Sequence, residues 1–254
     1  MCVATPDLTR RFGGLARLYG EAVSSKFGTA HVCIVGIGGV GSWAVEALVR
    51  SGIGRLTLID LDHVAESNMN RQIQALEDTL GQAKVLAMKA RIAAINPACI
   101  ATPIEEFATF DNVATLLPPC DCVIDAIDQV RPKAALIAHC RAAAVPVVTT
   151  GAAGGKRDPT RICVEDLSRT TQDPLAAKLR ATLRRDHGFP RDPKRKFGVE
   201  CVYSTEPVRR PTTADFCESP TAGLSCAGYG SSVCVTASFG FAAASIALEL
   251  VAAT

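Results

Sequence analysis

Residues 31–52 read HVCIVGIGGVGSWAVEALVRSG, a short apolar run that ends in glycine and passes directly into a segment of helical spacing. Gly36, Gly38 and Gly41 spell G-x-G-x-x-G across the junction, so strand, turn and helix have to close tightly on one another. Small residues there let the backbone approach a phosphate, and the helix N-terminus at Ser42 offers unpaired N–H groups to the anion. Asp60 follows about 20 residues later, at the end of the apolar run LTLID (56–60), where its carboxylate can accept both hydroxyls of a ribose. The combination indicates a nucleotide site in an α/β protein. Taken alone, the glycines also fit a tight core turn that binds nothing.

The rest of the first half keeps the alternation. A helix is expected over 81–97, ending before Pro97; strands over 101–107, 121–128 and 145–151; and a helix over 132–144. Strands alternating with helices of this length argue for a doubly wound, Rossmann-like, mostly parallel sheet. The chain reads as a single domain over 1–254, with an N-terminal helical segment (1–30) and an irregular C-terminal extension. Within that extension 178–189 looks helical, whereas 190–225 is rich in Pro, Arg, Lys and Thr and reads as a long loop or arm. The tail SVCVTASFGFAAASIALELVAAT approaches the roughly 20 apolar residues of a membrane span. It carries Glu249 and no Lys or Arg after it, so a helix buried against the sheet is expected, with membrane association the alternative.

A formal net charge of +2 over 254 residues excludes a wholly basic nucleic-acid coat protein but leaves room for a local basic face. The 11 cysteines are odd in number and irregularly spaced, and MCVATPDLTRRFGG has no apolar core of the kind a secretory signal needs. A cytoplasmic, reducing location is expected. Cys120 with Cys122 and Cys226 with Cys234 come nearest to metal spacing, and neither makes the repeated C-x-x-C of a structural zinc site; no zinc is expected.

The glycine motif does not say which nucleotide is bound. A hydride-transfer enzyme needs only ribose recognition after the second strand, yet here LIDLD (58–62) adds Asp62, and a polar run supplies Asn68, Asn70 and Arg71. Lys84 and Asp128 follow at later element ends. These suit a polyphosphate: cations neutralise it, amides hydrogen-bond its oxygens, and an aspartate can hold Mg²⁺ against it. Each has a plainer reading, with Arg71 a solvated cation, Lys84 a helix-face residue and Asp128 a helix N-cap.

The series GIGGVGS, LIDLD, SNMNRQ, GQAKV and DAIDQVRPK resembles the adenylate-forming enzymes of the ubiquitin-activating and ThiF-like superfamily. RFGGLARLYG (11–20), VIDAIDQVRPKAALIA (123–138), VTTGAAGG (148–155) and QDPLAAKLR (172–180) bring it closer to one branch, the tRNA threonylcarbamoyladenosine dehydratases. The resemblance implies ATP- and Mg²⁺-dependent activation of the threonylcarbamoyl carboxylate beside the tRNA anticodon, followed by ring closure with loss of water. Carried over, it implies that Gly39 and Gly41 cradle phosphate, Asp60 holds ribose, Asn68, Arg71 and Lys84 bind the triphosphate, and Asp128 takes the metal, with Arg71, Lys84 and Asp128 as the catalytic set. It also implies a homodimer. In many relatives an arginine after the N-terminal aromatic reaches the partner's ATP site; here that position is Gly14, with Arg11 and Arg17 as possible substitutes. Cys217, Cys226 and Cys234 are expected to be buried, inert thiols, with a thioester or persulfide cysteine among them the alternative, and a sulfur-transfer or cysteine-desulfurase partner stays open.

Between 178 and 210, Lys178, Arg180, Arg184, Arg185, Arg191, Lys194, Arg195, Lys196, Arg209 and Arg210 face only Asp186, Asp192, Glu200 and Glu206. With the resemblance, Lys178, Arg184, Arg185, Lys194, Arg195 and Lys196 become the candidate tRNA contacts. Two other functions remain: adenylation of the C-terminus of a ubiquitin-like sulfur carrier, and a non-catalytic nucleotide or tRNA sensor.

Overall fold

The computed structural model describes residues 7–209 and 229–253. Two helices, α1 (Leu8–Tyr19) and α2 (Glu21–Thr29), come first. Asp7 caps α1 by accepting from the Arg10 N–H at 2.9 Å.

The strands are β1 (His31–Val35), β2 (Arg55–Ile59), β3 (Ile100–Ile104), β4 (Cys122–Asp125), β5 (Val147–Thr150), β6 (Ile162–Asp166) and β7 (Glu200–Ser204). They form one sheet in the order β3-β2-β1-β4-β5-β7-β6, parallel except for the antiparallel β6–β7 pair. The helices between them are α3 (Gly41–Arg50), α4 (Lys84–Ile95), the short α5 (Val113–Leu116), α6 (Val130–Ala142) and α7 (Pro174–Asp186), and α8 (Val233–Ala253) closes the chain.

Strands covered on both faces read as continuous apolar runs, and β1 shows why. Val32 and Ile34 pack into one core with residues of α3, α4 and α8; Cys33 and Val35 point to the opposite face and pack with α5, α6 and α7. Helix α8 lies against the sheet, burying Val235, Phe239, Ala243, Ala247 and Val251. Its small residues permit a close crossing: a Cβ on Gly240 would sit 2.5 Å from the Val40 carbonyl oxygen and 2.7 Å from Trp43 Cβ. It is also a helix long and apolar enough to cross a membrane by length and composition, and half of that span is buried within the fold.

Four expectations change. The third strand ends at Ile104 rather than 107. Part of the stretch expected as a loop or arm over 190–225 is β7, whose Cys201, Val202 and Tyr203 are buried, while residues 210–225 lie outside the described residues. The C-terminal half also contributes the edge strand β6. Helix α7 starts earlier than 178, at Pro174, because Asp173 caps it by accepting from the Ala176 N–H at 2.9 Å and proline suits a first helical turn.

Candidate nucleotide site

The strand order reverses between β1 and β4, the place where open α/β sheets hold ligands. A cavity of about 680 Å³ opens there, lined by the strand ends Val35, Ile59, Ala126 and Thr150.

The glycine turn forms its floor. Gly36 has φ 90°, and a Cβ there would lie 2.8 Å from the Ala126 carbonyl oxygen, so glycine meets both the backbone angle and the close approach to β4. Gly38 and Gly39 line the cavity, and nothing lies within 4 Å of a Cβ added to Gly38. Gly41 does not line it. Its Cβ would fall 1.8 Å from the Gly36 carbonyl oxygen, so it is the residue that lets α3 start directly over the turn. Gly41→Ala is expected to destabilise the protein by about 1–3 kcal/mol through overpacking, read as a lower guanidinium midpoint at unchanged slope. A midpoint equal to that of the unaltered protein would mean the turn relaxes freely.

Asp60 is buried at the cavity edge, where its Oδ2 accepts from the Ile37 N–H at 2.6 Å and its Oδ1 from the Asp62 N–H at 2.8 Å. Burial pushes its carboxyl above the ordinary range, against the opposing pull of the Lys84 charge and the two N–H donors. Lys84, at the first position of α4, is itself buried and reaches Asp62 Oδ2 at 2.7 Å. Asp62 is half-exposed, so it holds the ammonium at the cavity wall without enclosing it.

Arg71 lies across the glycine turn: a Cβ on Gly39 would be 3.2 Å from its Cγ. One guanidinium nitrogen donates to the Ser67 carbonyl at 2.6 Å and to Asn70 Oδ1 at 3.0 Å. Asn70 does not line the cavity; its Nδ2 donates to the Ser231 carbonyl at 3.0 Å, which makes it a brace for Arg71. Asn68 lines the cavity and is buried, its Oδ1 accepting from the Ala65 N–H at 3.1 Å to close a 3₁₀ turn (Glu66–Asn68). Asp128 is exposed on the opposite wall. It does not cap α6; Gln129 occupies that position, which removes the plainer reading of the aspartate.

The cavity thus gathers Gly36, Gly38, Gly39, Asp60, Asp62, Asn68, Arg71, Lys84 and Asp128, and leaves out Gly41 and Asn70. Sequence reasoning passed over Gln72, which lines it, and Gln74, whose Nε2 donates to the Ile37 carbonyl at 2.8 Å and ties the polar run to the turn. It also passed over the support beneath Asp128. Fully buried Asp125 ends β4 and pairs with buried Lys133 of α6 at 3.0 Å. Thr149 donates to the same carboxylate at 2.7 Å, and Lys133 also donates to the carbonyls of Asp125 and Ile127, at 3.1 and 2.9 Å. The signal for this pair was a carboxylate and an ammonium set in otherwise apolar segments.

The sequence that builds this cavity is matched by one family model, the ThiF family, over residues 12–253. The chain belongs to the ThiF family. Among its relatives, a tRNA threonylcarbamoyladenosine dehydratase of Escherichia coli (strain K12) is 53% identical, with 98% of this chain and 96% of the relative covered. The enzyme of the same name from Haemophilus influenzae is 47% identical over 94% of this chain and 92% of its own. A crystal structure of the E. coli tRNA N6-threonylcarbamoyladenosine dehydratase in complex with ATP superposes with a TM-score of 0.89 at 52% identity, covering 99% of this chain and 97% of that one. The seven-stranded sheet described above is therefore the ThiF-family fold in its α/β, Rossmann-like form.

The candidate tRNA contacts differ in exposure and in partners. Lys178, Lys194, Arg195 and Lys196 are exposed. Arg185 is exposed and paired with Asp186 at 2.7 Å. Arg184 is half-buried, its guanidinium 5.1 Å from the centre of the Phe197 ring and its Nε donating to the Pro190 carbonyl, so it serves packing first. Cys234, expected to be buried, is instead exposed at the start of α8, while Cys217 and Cys226 lie outside the described residues.

Proposed function

We infer that this chain is an ATP-dependent tRNA threonylcarbamoyladenosine dehydratase. The observation that carries the inference is the convergence of Asp60, Arg71, Lys84 and Asp128 on one cavity at the β1–β4 reversal, in a chain matched end to end by dehydratases of that name.

Adenylate formation brings a carboxylate against the α-phosphate of ATP, two anions that repel. Cations fixed at the point of attack relieve the repulsion most when charge is developing, and so lower the barrier rather than merely holding substrate. Arg71, tethered through Ser67 and Asn70, and Lys84, held by Asp62, are suited to that work. Asp60 is assigned to the ribose and the Gly36–Gly39 turn to the phosphates. The exposed carboxylate of Asp128 fits a hard divalent cation, and we assign it to Mg²⁺, which supplies neutralising charge to the phosphates. Pyrophosphate leaves, an atom of the substrate attacks the activated carbonyl, and AMP departs; the sum is loss of one water from the nucleoside. Ring closure within one bound nucleoside has a high effective molarity and calls for no catalytic cysteine.

The assembly is proposed to be a homodimer in the cytoplasm. Helix α1 buries no residue in the single chain and leaves Leu18 75% exposed, as a helix reserved for a partner would. Arg11 donates to the Ile95 carbonyl of its own chain at 2.6 Å, so exposed Arg17 is the better candidate to reach a neighbouring site in place of the Gly14 position. A sulfur-transfer or cysteine-desulfurase partner remains a proposal that rests on the family alone.

The protein, ATP, Mg²⁺ and tRNA bearing threonylcarbamoyladenosine are incubated together, the tRNA is digested, and the nucleoside is followed by mass spectrometry alongside AMP. Loss of one water with matching AMP is expected. ATP–pyrophosphate exchange stimulated by a ubiquitin-like C-terminus, with the nucleoside unchanged, would move the chain to sulfur-carrier activation.

A further inference from the structure

The cavity has a second character on one side. Its lip between β3 and α5 carries two aromatic rings, Phe107 and Phe110, exposed by 50% and 66%. Apolar rings in water are costly unless something covers them in use. The lip is a built element. Asn112 donates to the Phe107 carbonyl at 2.9 Å and accepts from the Thr109 N–H at 2.7 Å, while Thr109 Oγ1 accepts from the Asn112 N–H at 3.2 Å. These three bonds brace the loop that carries both rings.

Phe110 links this lip to the basic segment. Its ring centre is 6.3 Å from that of His187, at the C-terminal end of α7, and His187 is not among the cavity-lining residues. Arg131, in the first turn of α6, does line the cavity and acts electrostatically on Asp186, the partner of Arg185. Further along the chain Lys194, Arg195 and Lys196 are exposed. The cations picked out in the sequence as a possible RNA face therefore begin beside the aromatic lip of the ATP cavity.

An exposed aromatic beside a track of cations has the chemistry of single-stranded RNA recognition, in which an unstacked base lies on a ring and cations follow the phosphates. We propose that Phe110, supported by Phe107, is the platform on which an unstacked purine of an RNA loop is laid at the mouth of the cavity, with Arg131 and the end of α7 neutralising the flanking phosphates. The inference rests on tRNA being the substrate and adds where its base enters.

Hairpin binding, read by fluorescence anisotropy, tests this independently of turnover, so a failed dehydration assay and a failed platform are told apart. Two RNA hairpins are compared, one with an unpaired adenosine in its loop and one with that base removed. The unaltered protein is expected to prefer the intact hairpin; Phe110→Ala weakens intact-hairpin binding about tenfold, leaves the abasic hairpin unchanged, and Phe110→Trp restores the preference. Because the ring is two-thirds exposed, its removal opens no buried cavity. Equal losses for both hairpins, no loss for either, or a matching loss of affinity for a non-hydrolysable ATP analogue would each overturn the proposal, the last by assigning the ring to ATP.

Discussion

Arg71→Ala is expected to lower kcat for ATP-dependent dehydration by about 100- to 1,000-fold, the cost typical of removing one preorganised donor aimed at developing charge. The reason lies in how the guanidinium is held. Its stem crosses the Gly39 position, one nitrogen is fixed by the Ser67 carbonyl and Asn70, and its own carbonyl accepts from Trp43 Nε1 at 2.9 Å. The fork is thus held beside the glycine turn before ATP binds, and little is lost in ordering it. Arg71→Lys keeps the charge without the fork and should fall between the two. Stability should change little, because the backbone bond to Trp43 survives the truncation. Initial rates of AMP release at saturating ATP decide the matter. A change confined to KM would mean that Arg71 binds ATP uniformly and does not favour the transition state.

The Arg71 side of the cavity was legible because it is local. Glycine spacing, a carboxylate at a strand end and a polar run immediately after it are neighbours in sequence, and α/β geometry brings strand ends to one side. Roles inside the run were less legible. Asn70 and Arg71 are adjacent, yet one braces and the other faces the cavity, a division set by the Ser231 carbonyl 161 residues away. Strand β7 was hidden because ECVYS is a short buried run set among prolines and cations, and its only described partners are β5 and β6. Arg184 looked like an RNA contact because a sequence cannot show that Phe197 will lie beneath it. The apolar tail was correctly read as a helix against the sheet, since its Ala and Gly content suits close packing on α3.

The opposite wall depends on contacts that no spacing reveals, and there Lys133→Met should cost about 3–5 kcal/mol, the penalty for stranding a buried charge. Asp125 would keep the Thr149 hydroxyl and the Ile127 N–H but lose its ammonium, while two carbonyls lose a donor. Burial already pushes the Asp125 carboxyl above the ordinary range with Lys133 opposing it, and removing the lysine pushes it further. The sign of the pH dependence follows. A folded-state pKa above the unfolded value means the folded variant binds the extra proton, so its stability is greatest below the unfolded carboxylate pKa of about 4 and falls as pH rises toward the folded value. Acidification from neutrality should therefore restore part of the lost denaturation midpoint in Lys133→Met. Adding Asp125→Leu removes the stranded charge and should recover stability at neutral pH while abolishing that acid rescue. Turnover should not return with it. Lys133 grips the carbonyls of Asp125 and Ile127, the residues leading into Asp128, so the double variant regains a folded core under a loop no longer held in position. Recovery of both stability and rate would show that the pair is structural alone and that Asp128 is positioned by other contacts.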